Sequence, residues 1–212
     1  GCHHPMGWNV LSPLAADGAF FNSVRTQELL DLYHSHRYRR QPWDRIGAIE
    51  SPPPDAPERY LDRVCELVDV EAVRSAGLTV VADFCNGSGA PMGRRFAERL
   101  GIRLIAINDT FNGFLPHDPE PRPRSSRQVQ SILSSLDADI GFVFNSDMSR
   151  AAVVTSAGET LSEEYTVVLT ADEILSQLDR PGRLVTNVCT TRSLDRVAER
   201  HGAEVLKTRV GE

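Results

Sequence analysis

Residues 139–158 read DIGFVFNSDMSRAAVVTSAG, and this stretch decides the fold more than any other. An apolar run on each side of the polar loop 145–150 is typical of two buried β-strands. Side-chain oxygens stand at alternate positions of the loop, on Asn145, Asp147 and Ser149. Because Mg²⁺ prefers hard oxygen ligands that include carboxylates, the loop is a candidate metal site. One carboxylate among three ligands predicts that Mg²⁺ binding is weakened.

Apolar strands and helical patterns alternate through the middle of the chain. Continuous apolar runs at 78–84 and 102–107 predict two more strands, and the apolar spacing at 95–100 and 129–136 predicts two helices. Strand, helix, strand, helix and strand in this order indicate a βαβ sheet that is covered by helices on both faces. The sequence therefore predicts an α/β fold.

A second and shorter α/β unit follows the first. Its helical patterns lie at 171–178 and 193–200, and its strand patterns lie at 183–188 and 204–209. In front of the first unit, a loop-like start and a helical pattern at 24–36 precede a proline-rich linker. We therefore divide the chain into four segments, which are residues 1–45, the linker and helix 46–69, the α/β unit 70–165, and the incomplete unit 166–212.

Composition and charge narrow the classes of function. The chain has 212 residues, a net charge of −6 and a hydrophobic fraction of 41%, which is enough apolar material for a core. The negative charge argues against non-specific binding to nucleic acid. No apolar stretch approaches the roughly 20 residues that span a bilayer, and no secretory signal is visible. The four cysteines form no C-x-x-C pair, which favours a cytoplasmic protein with reduced thiols. From the charge and the apolar pattern, we expect that it binds neither nucleic acid nor membrane.

The loop 145–150 resembles the metal loop of the α-D-phosphohexomutases, the phosphoglucomutase/phosphomannomutase superfamily, whose pattern is D-G-D-x-D-R. Asp147 and Arg150 match that pattern, whereas Asn145, Ser146 and Ser149 replace Asp, Gly and Asp. Six other segments are also similar to family motifs: VVAD at 80–83, NGSG at 86–89, LG at 100–101, FLPHDPEP at 114–121, GCHHPMGWN at 1–9 and KTRVGE at 207–212.

The resemblance implies three-layer α/β/α domains, each with a mixed and mostly parallel sheet. Under this assignment residues 1–45 are a remnant of domain I, with a phosphoserine-like loop and a helix. Residues 70–165 are similar to domain II, and residues 166–212 are similar to the beginning of domain III. Partial domains would thus flank one complete α/β/α domain.

The resemblance also implies a chemistry, which is intramolecular phosphoryl transfer on a phosphosugar. Cys2 stands at the position of the family's phosphorylated serine and His3 matches the neighbouring histidine, so both are catalytic candidates. Arg150 becomes a candidate for binding phosphate. Asn145, Asp147 and Ser149 become what remains of the family's Mg²⁺ site.

Two family elements have no counterpart in this sequence, the sugar-contacting G-E-x-S-G-H loop and the phosphate-binding loop of the fourth domain. We therefore expect a phosphohexomutase-like protein without useful mutase activity on its own. It would act as a binding or assembly partner, or as one component of a split enzyme. An incomplete third unit leaves a sheet edge and apolar helix faces uncovered, which favours a protein partner or a homo-oligomer.

A nucleotide-cofactor protein is the alternative that the sequence leaves open. Gly87, Gly89 and Gly93 follow a predicted strand and precede a predicted helix, where backbone N–H groups can bind an anion. Asp109 ends the next strand at a spacing close to that of the dinucleotide-binding fingerprint. This alternative predicts a phosphate group above residues 87–93.

Overall fold

The computed structural model describes residues 4, 6–8 and 10–210, and its larger sheet has four strands. These strands are β1 (Thr79–Asp83), β2 (Arg103–Ile107), β3 (Ile140–Phe144) and β4 (Ala151–Thr155). Their order across the sheet is β2-β1-β3-β4. β1 pairs in parallel with β2 and β3, and β4 pairs antiparallel with β3. The predicted α/β fold with a mixed, mostly parallel sheet is confirmed.

Seven α-helices and a second, two-stranded sheet complete the described residues. The helices are α1 (Ser23–His34), α2 (Ala56–Cys65), α3 (Val70–Ser75), α4 (Ala90–Leu100), α5 (Arg127–Leu136), α6 (Glu164–Ser176) and α7 (Ser193–Arg200). A short 3₁₀ helix lies at Trp43–Arg45. The second sheet pairs β5 (Arg183–Asn187) in parallel with β6 (Glu204–Thr208).

Helices cover both faces of the larger sheet because successive residues of a strand point to opposite sides. Val81 of β1 packs with Val129 and Leu133 of α5. The next residue, Ala82, packs on the other side with Ala90, the first residue of α4. The sheet is therefore the middle layer of an α/β/α sandwich, and α4 and α5 lie in its two outer layers.

Two helices begin earlier than the sequence patterns predict. α4 begins at Ala90 rather than at residue 95, because Pro91 is well suited to the first turn of a helix. α6 begins at Glu164 rather than at residue 171. The residues before 171 include β-branched side chains that weaken the local helical signal. Burial of Val168, Ala171 and Leu175 on one face of the helix outweighs that preference.

The second unit buries one face of its sheet and leaves the other exposed. α6 and α7 pack against each other, and Leu184 of β5 packs against their shared core. On the opposite face, Val185 and Leu206 remain 66% and 40% exposed. This unit therefore has two layers where the first unit has three.

The N-terminal helix α1 buries none of its residues in the rest of the protein. Asn22 caps it by accepting a hydrogen bond from the backbone N–H of Arg25 at 3.0 Å. Leu29, Leu32 and Tyr33 stay exposed along its surface. Across the residues described, no helix combines the length and the apolar character needed to cross a membrane.

Substitution of Gly141 tests how tightly α5 packs on the larger sheet. A Cβ atom on Gly141 would lie 2.4 Å from Val129 Cγ1 and 2.8 Å from Leu133 Cδ1. We expect Gly141→Ala to lower the free energy of unfolding by about 1–3 kcal/mol, the usual cost of overpacking a core. Urea unfolding measures this, with Gly47→Ala as the control because a methyl group added at residue 47 would have no neighbour within 4 Å. Equal urea midpoints for the two variants would contradict the packing described.

Candidate functional site

The side chain of Asn145 closes the loop 145–150 between β3 and β4. Its amide oxygen accepts a hydrogen bond from the backbone N–H of Arg150, and its amide nitrogen donates to Ser149 Oγ, each at 3.0 Å. The backbone N–H of Asn145 donates to the carbonyl of Arg150 at 3.2 Å. Asn145 is fully buried, so these bonds satisfy a polar side chain that has no access to water.

The three predicted metal ligands lie in this one loop, but their hydrogen bonds do not suit a cation. The oxygen of Asn145 faces a backbone N–H, and its NH₂ group points at Ser149 Oγ. Asp147 Oδ1 accepts from the backbone N–H of Ser149 at 3.0 Å. Among the residues that the structure describes, no group of three or more His, Cys, Asp and Glu is placed to hold a metal ion. With one carboxylate and a donating amide, the loop does not fit a Mg²⁺ site, and no metal-dependent step is assigned to it.

The turn 86–89 after β1 contacts the backbone of the loop directly. The backbone N–H of Ser88 donates to the carbonyl oxygen of Ser146 at 2.8 Å. A Cβ atom on Gly87 would lie 1.9 Å from that oxygen, and one on Gly89 would lie 2.2 Å from Met148 Sδ. The glycines of this turn therefore permit close approach to the loop, which is the physical reason for their position.

Asn86 joins the same turn to the connector, which we define as residues 108–126 between β2 and α5. Asn86 Nδ2 donates to the carbonyl of Phe114 at 2.9 Å, and Asn86 Oδ1 accepts from the backbone N–H of Thr110 at 3.1 Å. The backbone N–H of Asn86 donates to the carbonyl of Asn108 at 2.6 Å. One residue thus fixes the end of β1 to the connector at three points.

A buried carboxylate at the end of β1 forms a second attachment to the connector. Asp83 is fully buried. It accepts hydrogen bonds from the backbone N–H of Cys85 at 2.9 Å and from Asn108 Nδ2 at 2.7 Å. His117 Nε2 lies 3.0 Å from Asp83 Oδ2. Neither Asp83 nor His117 is among the site residues predicted from the sequence. Asp83 could have been found, because a charged residue at the end of an apolar strand commonly marks a functional site.

A cavity of about 380 Å³ lies where the turn, the connector and the loop meet. Asn86 and Ser88 line it from the turn, and Ser146 and Asp147 line it from the loop. His4 and Trp8 line it from the start of the chain. Cys2 and His3, the predicted catalytic pair, lie outside the described residues. Residues 4 and 6–8, which lie close after them in the sequence, line this cavity together with Asp147.

Arg150, the predicted phosphate ligand, lies on the other side of the loop. Its guanidinium Nη1 is 3.5 Å from a carboxylate oxygen of Glu120 and 3.5 Å from one of Glu163. Ser149 and Arg150 line a separate cavity of about 620 Å³, between the loop and the second unit. The predicted site residues of the loop are therefore divided, because Asp147 lines one cavity whereas Ser149 and Arg150 line the other.

The geometry gives the nucleotide-cofactor alternative no support. The backbone N–H groups of Gly87, Ser88 and Ala90 donate to carbonyl oxygens of the protein, so they are not available to a phosphate. Asp109, which would bind a ribose in that alternative, forms an ion pair with Arg94. The turn that resembled an anion site is occupied by contacts within the protein.

Substitution of Gly87 tests whether the turn positions the loop. Because a methyl group at residue 87 would overlap the Ser146 carbonyl, we expect Gly87→Ala to displace the loop. The backbone amide resonances of Ser146 and Asp147 should then shift, and their hydrogen exchange should accelerate. Gly47→Ala is again the matched control, and unchanged loop resonances in Gly87→Ala would contradict the contact.

Comparison with protein families gives two matches along the chain. Residues 58–158 match the family model described as phosphoglucomutase/phosphomannomutase, alpha/beta/alpha domain II. Residues 162–212 match the one described as phosphoglucomutase/phosphomannomutase, alpha/beta/alpha domain III. The two matches follow each other in the order of the family's domains and together cover most of the chain.

Curated relatives match almost the whole chain. The phosphoglucomutase/phosphomannomutase of Thermococcus kodakarensis is 29% identical over 211 residues, which are 99% of this chain and 46% of the relative. A probable phosphoglucosamine mutase of Pyrococcus horikoshii is 29% identical over 210 residues, which are 99% of this chain and 45% of the relative. The chain thus spans less than half the length of these relatives.

A solved structure agrees with these sequence matches. It is a phosphoglucomutase/phosphomannomutase family protein from Burkholderia thailandensis, with a TM-score of 0.75 and 27% identity. The similarity covers 92% of this chain and 40% of that one. Sequence motifs, domain order and fold lead to the same conclusion: the chain belongs to the phosphoglucomutase/phosphomannomutase family of the α-D-phosphohexomutase superfamily.

Proposed function

We propose that this chain forms one wall of a phosphosugar-binding cleft in a phosphohexomutase-type protein, and that phosphoryl transfer requires further polypeptide. The observation that carries the proposal is the cavity of about 380 Å³ that residues 4 and 6–8 line together with Ser146 and Asp147 of the loop. In this proposal Cys2 and His3 hold the phosphoryl-donor position. Residues 1–45 and 70–165 then act as remnant domain I and as domain II, and residues 166–212 begin domain III.

The lining of this cavity suits a sugar. Asn86, Ser88 and Asp147 supply polar groups that can bond to hydroxyls, and Trp8 supplies an aromatic surface that is 70% exposed. Ligand sites in proteins usually combine such apolar surface with a few polar groups that fix orientation. The cavity therefore has the mixture of groups that the hydroxyls and the ring of a sugar need.

On the other side of the loop, where it lines the cavity of about 620 Å³, Arg150 supports a role in binding phosphate at the same cleft wall. Its contacts with Glu120 and Glu163, both at 3.5 Å, are longer than the roughly 2.7–2.9 Å of a strong charge-assisted hydrogen bond. Pairs of this kind at a partly exposed position contribute little to stability. A phosphate dianion can therefore replace one of these carboxylates at the guanidinium.

Two facts support the need for further polypeptide. The curated relatives are more than twice as long as the region of them that this chain matches. The G-E-x-S-G-H loop and the phosphate-binding loop of the fourth domain have no counterpart here, so the phosphosugar would be held from one side. We place this activity in the cytoplasm, in carbohydrate metabolism.

A second candidate function is that of a binding or assembly partner without catalysis. The exposed apolar side chains of α1 and of the β5–β6 sheet favour it, because exposed apolar surface commonly marks an interface. Under this function the chain would bind a protein partner or another copy of itself, and loss of phosphosugar binding would leave that association unchanged.

Calorimetry with glucose 1-phosphate and a coupled mutase assay test the first function. We expect the chain to bind the phosphosugar and to show no turnover on its own. Arg150→Gln should weaken binding by roughly ten- to hundredfold, since hydrogen bonds to charged groups contribute about 1.5–3 kcal/mol. Arg180→Gln removes the same charge from an exposed turn and serves as the matched control. Turnover by the chain alone, or equal binding by both variants, would refute the proposal.

Restoration of the missing carboxylates tests the inherited metal geometry. We expect Asn145→Asp combined with Ser149→Asp to bind Mg²⁺ measurably more tightly than the wild type, because two negative charges join Asp147 in one loop. The same variant should unfold more easily without Mg²⁺, since it loses the hydrogen bond from Asn145 to Ser149. Mg²⁺ titration followed by calorimetry and by thermal unfolding measures both effects.

The control for this variant adds the same charge elsewhere. Asn22→Asp combined with Gln41→Glu changes two exposed residues, and Asp at position 22 retains the oxygen that caps α1. If this control gains as much Mg²⁺-dependent stability as the loop variant, the assignment of residues 145, 147 and 149 to a former metal site is wrong.

A further inference from the structure

We infer that His117 is an imidazolium held between two acceptors, and that it acts as a pH-dependent latch that fastens the connector to the carboxyl end of β1. The ring bridges two regions of the fold. Its Nε2 lies 3.0 Å from Asp83 Oδ2, and its Nδ1 lies 2.8 Å from the carbonyl oxygen of Asp118. We call this arrangement the His117 latch.

The two contacts require a proton on each ring nitrogen. A carbonyl oxygen accepts hydrogen bonds and cannot donate, so Nδ1 must carry a proton. Asp83 also accepts hydrogen bonds from the backbone N–H of Cys85 and from Asn108 Nδ2. Because a carboxyl group is far more acidic than an imidazolium, the proton between Asp83 and His117 resides on Nε2. A doubly protonated ring is positively charged.

The charged groups that face the ring agree with this assignment. Burial by itself lowers the pKa of His117, but hydrogen bonds to Asp83 and to the Asp118 backbone, together with both negative charges, raise the pKa above 6.5. The neighbouring Cys85 thiol remains neutral, since burial and then the charges of Asp83 and Asp118 raise its pKa to about 12. His117 is thus the positive partner of a buried carboxylate, which would otherwise be costly to bury.

Loss of the proton weakens the latch in a defined direction. A neutral ring has one N–H group and cannot donate to both Asp83 and Asp118. Because the pKa of His117 is higher in the folded protein than in the unfolded chain, its stabilisation is complete below pH of about 6.5 and disappears as the pH rises through the folded value. The connector should therefore become more mobile as the pH rises above the pKa of His117 in the folded protein.

The latch acts on a wall of the 380 Å³ cavity. The connector contributes Phe111, Gly113 and Leu115 to that wall. Besides His117, Asn86 holds this segment through Thr110 and Phe114. Release of His117 removes one of the attachments of this segment, so local opening of the connector, including the hydrogen bond from Thr110 to Asn86, requires less free energy. This consequence does not depend on whether the protein turns over phosphosugars.

Nitrogen NMR of the histidine side chains tests the latch in the full chain. One of the six histidines, assigned by its absence in His117→Gln, should show two protonated ring nitrogens at pH 6 and a titration midpoint above about 6.5. A single protonated nitrogen at pH 6, or a midpoint at or below about 6.5, would overturn the inference. If His117→Gln does not fold, the spectra of His201→Gln decide, because that variant removes the other described histidine that pairs with a carboxylate.

Hydrogen exchange measures the effect on the connector. After correction for intrinsic base catalysis, the hydrogen-exchange rate of the Thr110 amide should rise as His117 loses its proton. The rise should be about tenfold for each pH unit by which the pKa of His117 in the closed state exceeds its pKa in the open state. His117→Gln should abolish this step. His201→Gln should retain it, since His201 pairs with Asp172 at 2.7 Å in the second unit. A step that persists in His117→Gln would show that another group controls the connector.

Discussion

A contact between two backbones, at Gly87 and Ser146, determines the shape of the candidate site. The carbonyl of Ser146 accepts a hydrogen bond from Ser88 and occupies the space that a side chain on residue 87 would need. β1 and β3 are paired in parallel, so the segments that follow them leave the sheet at the same edge and can meet. The position of Asp147 therefore depends on the pairing of two strands and on the absence of a Cβ atom in the turn.

The neutral side chain of Asn145 explains how the loop 145–150 keeps its conformation with one carboxylate. An amide both donates and accepts, so Asn145 can bond to Ser149 and Arg150 together. A carboxylate in its place could not donate to Ser149 and would add charge beside Asp147. Asn at position 145, where the family pattern has Asp, thus supplies the internal hydrogen bond that holds the loop closed. In this family member, the loop is built from hydrogen bonds.

Charge around the sheet edge is arranged in pairs on both sides of the loop. Asp83 and His117 lie beneath the connector, and Arg150 meets Glu120 and Glu163 toward the second unit. Asp83 is buried, and its pair with His117 holds the connector that forms one wall of the 380 Å³ cavity, whereas Arg150 and Glu163 line the other cavity. The site residues that the sequence suggested are therefore supported by a second set, Asp83, Asn86 and His117, which connects the strands to the connector.

The sequence by itself determined the strands at 140–144 and 151–155, the α/β class and the family resemblance, because apolar periodicity and short motifs are local signals. It did not locate the start of α6, since the residues before 171 form a helix through burial against α7. It also gave residues 86–93 two interpretations. Tertiary structure decided between them, because the backbone N–H of Ser88 in this segment donates to the carbonyl of Ser146, which lies 58 residues away along the chain. Contacts between distant segments come from strand pairing, which no local pattern records.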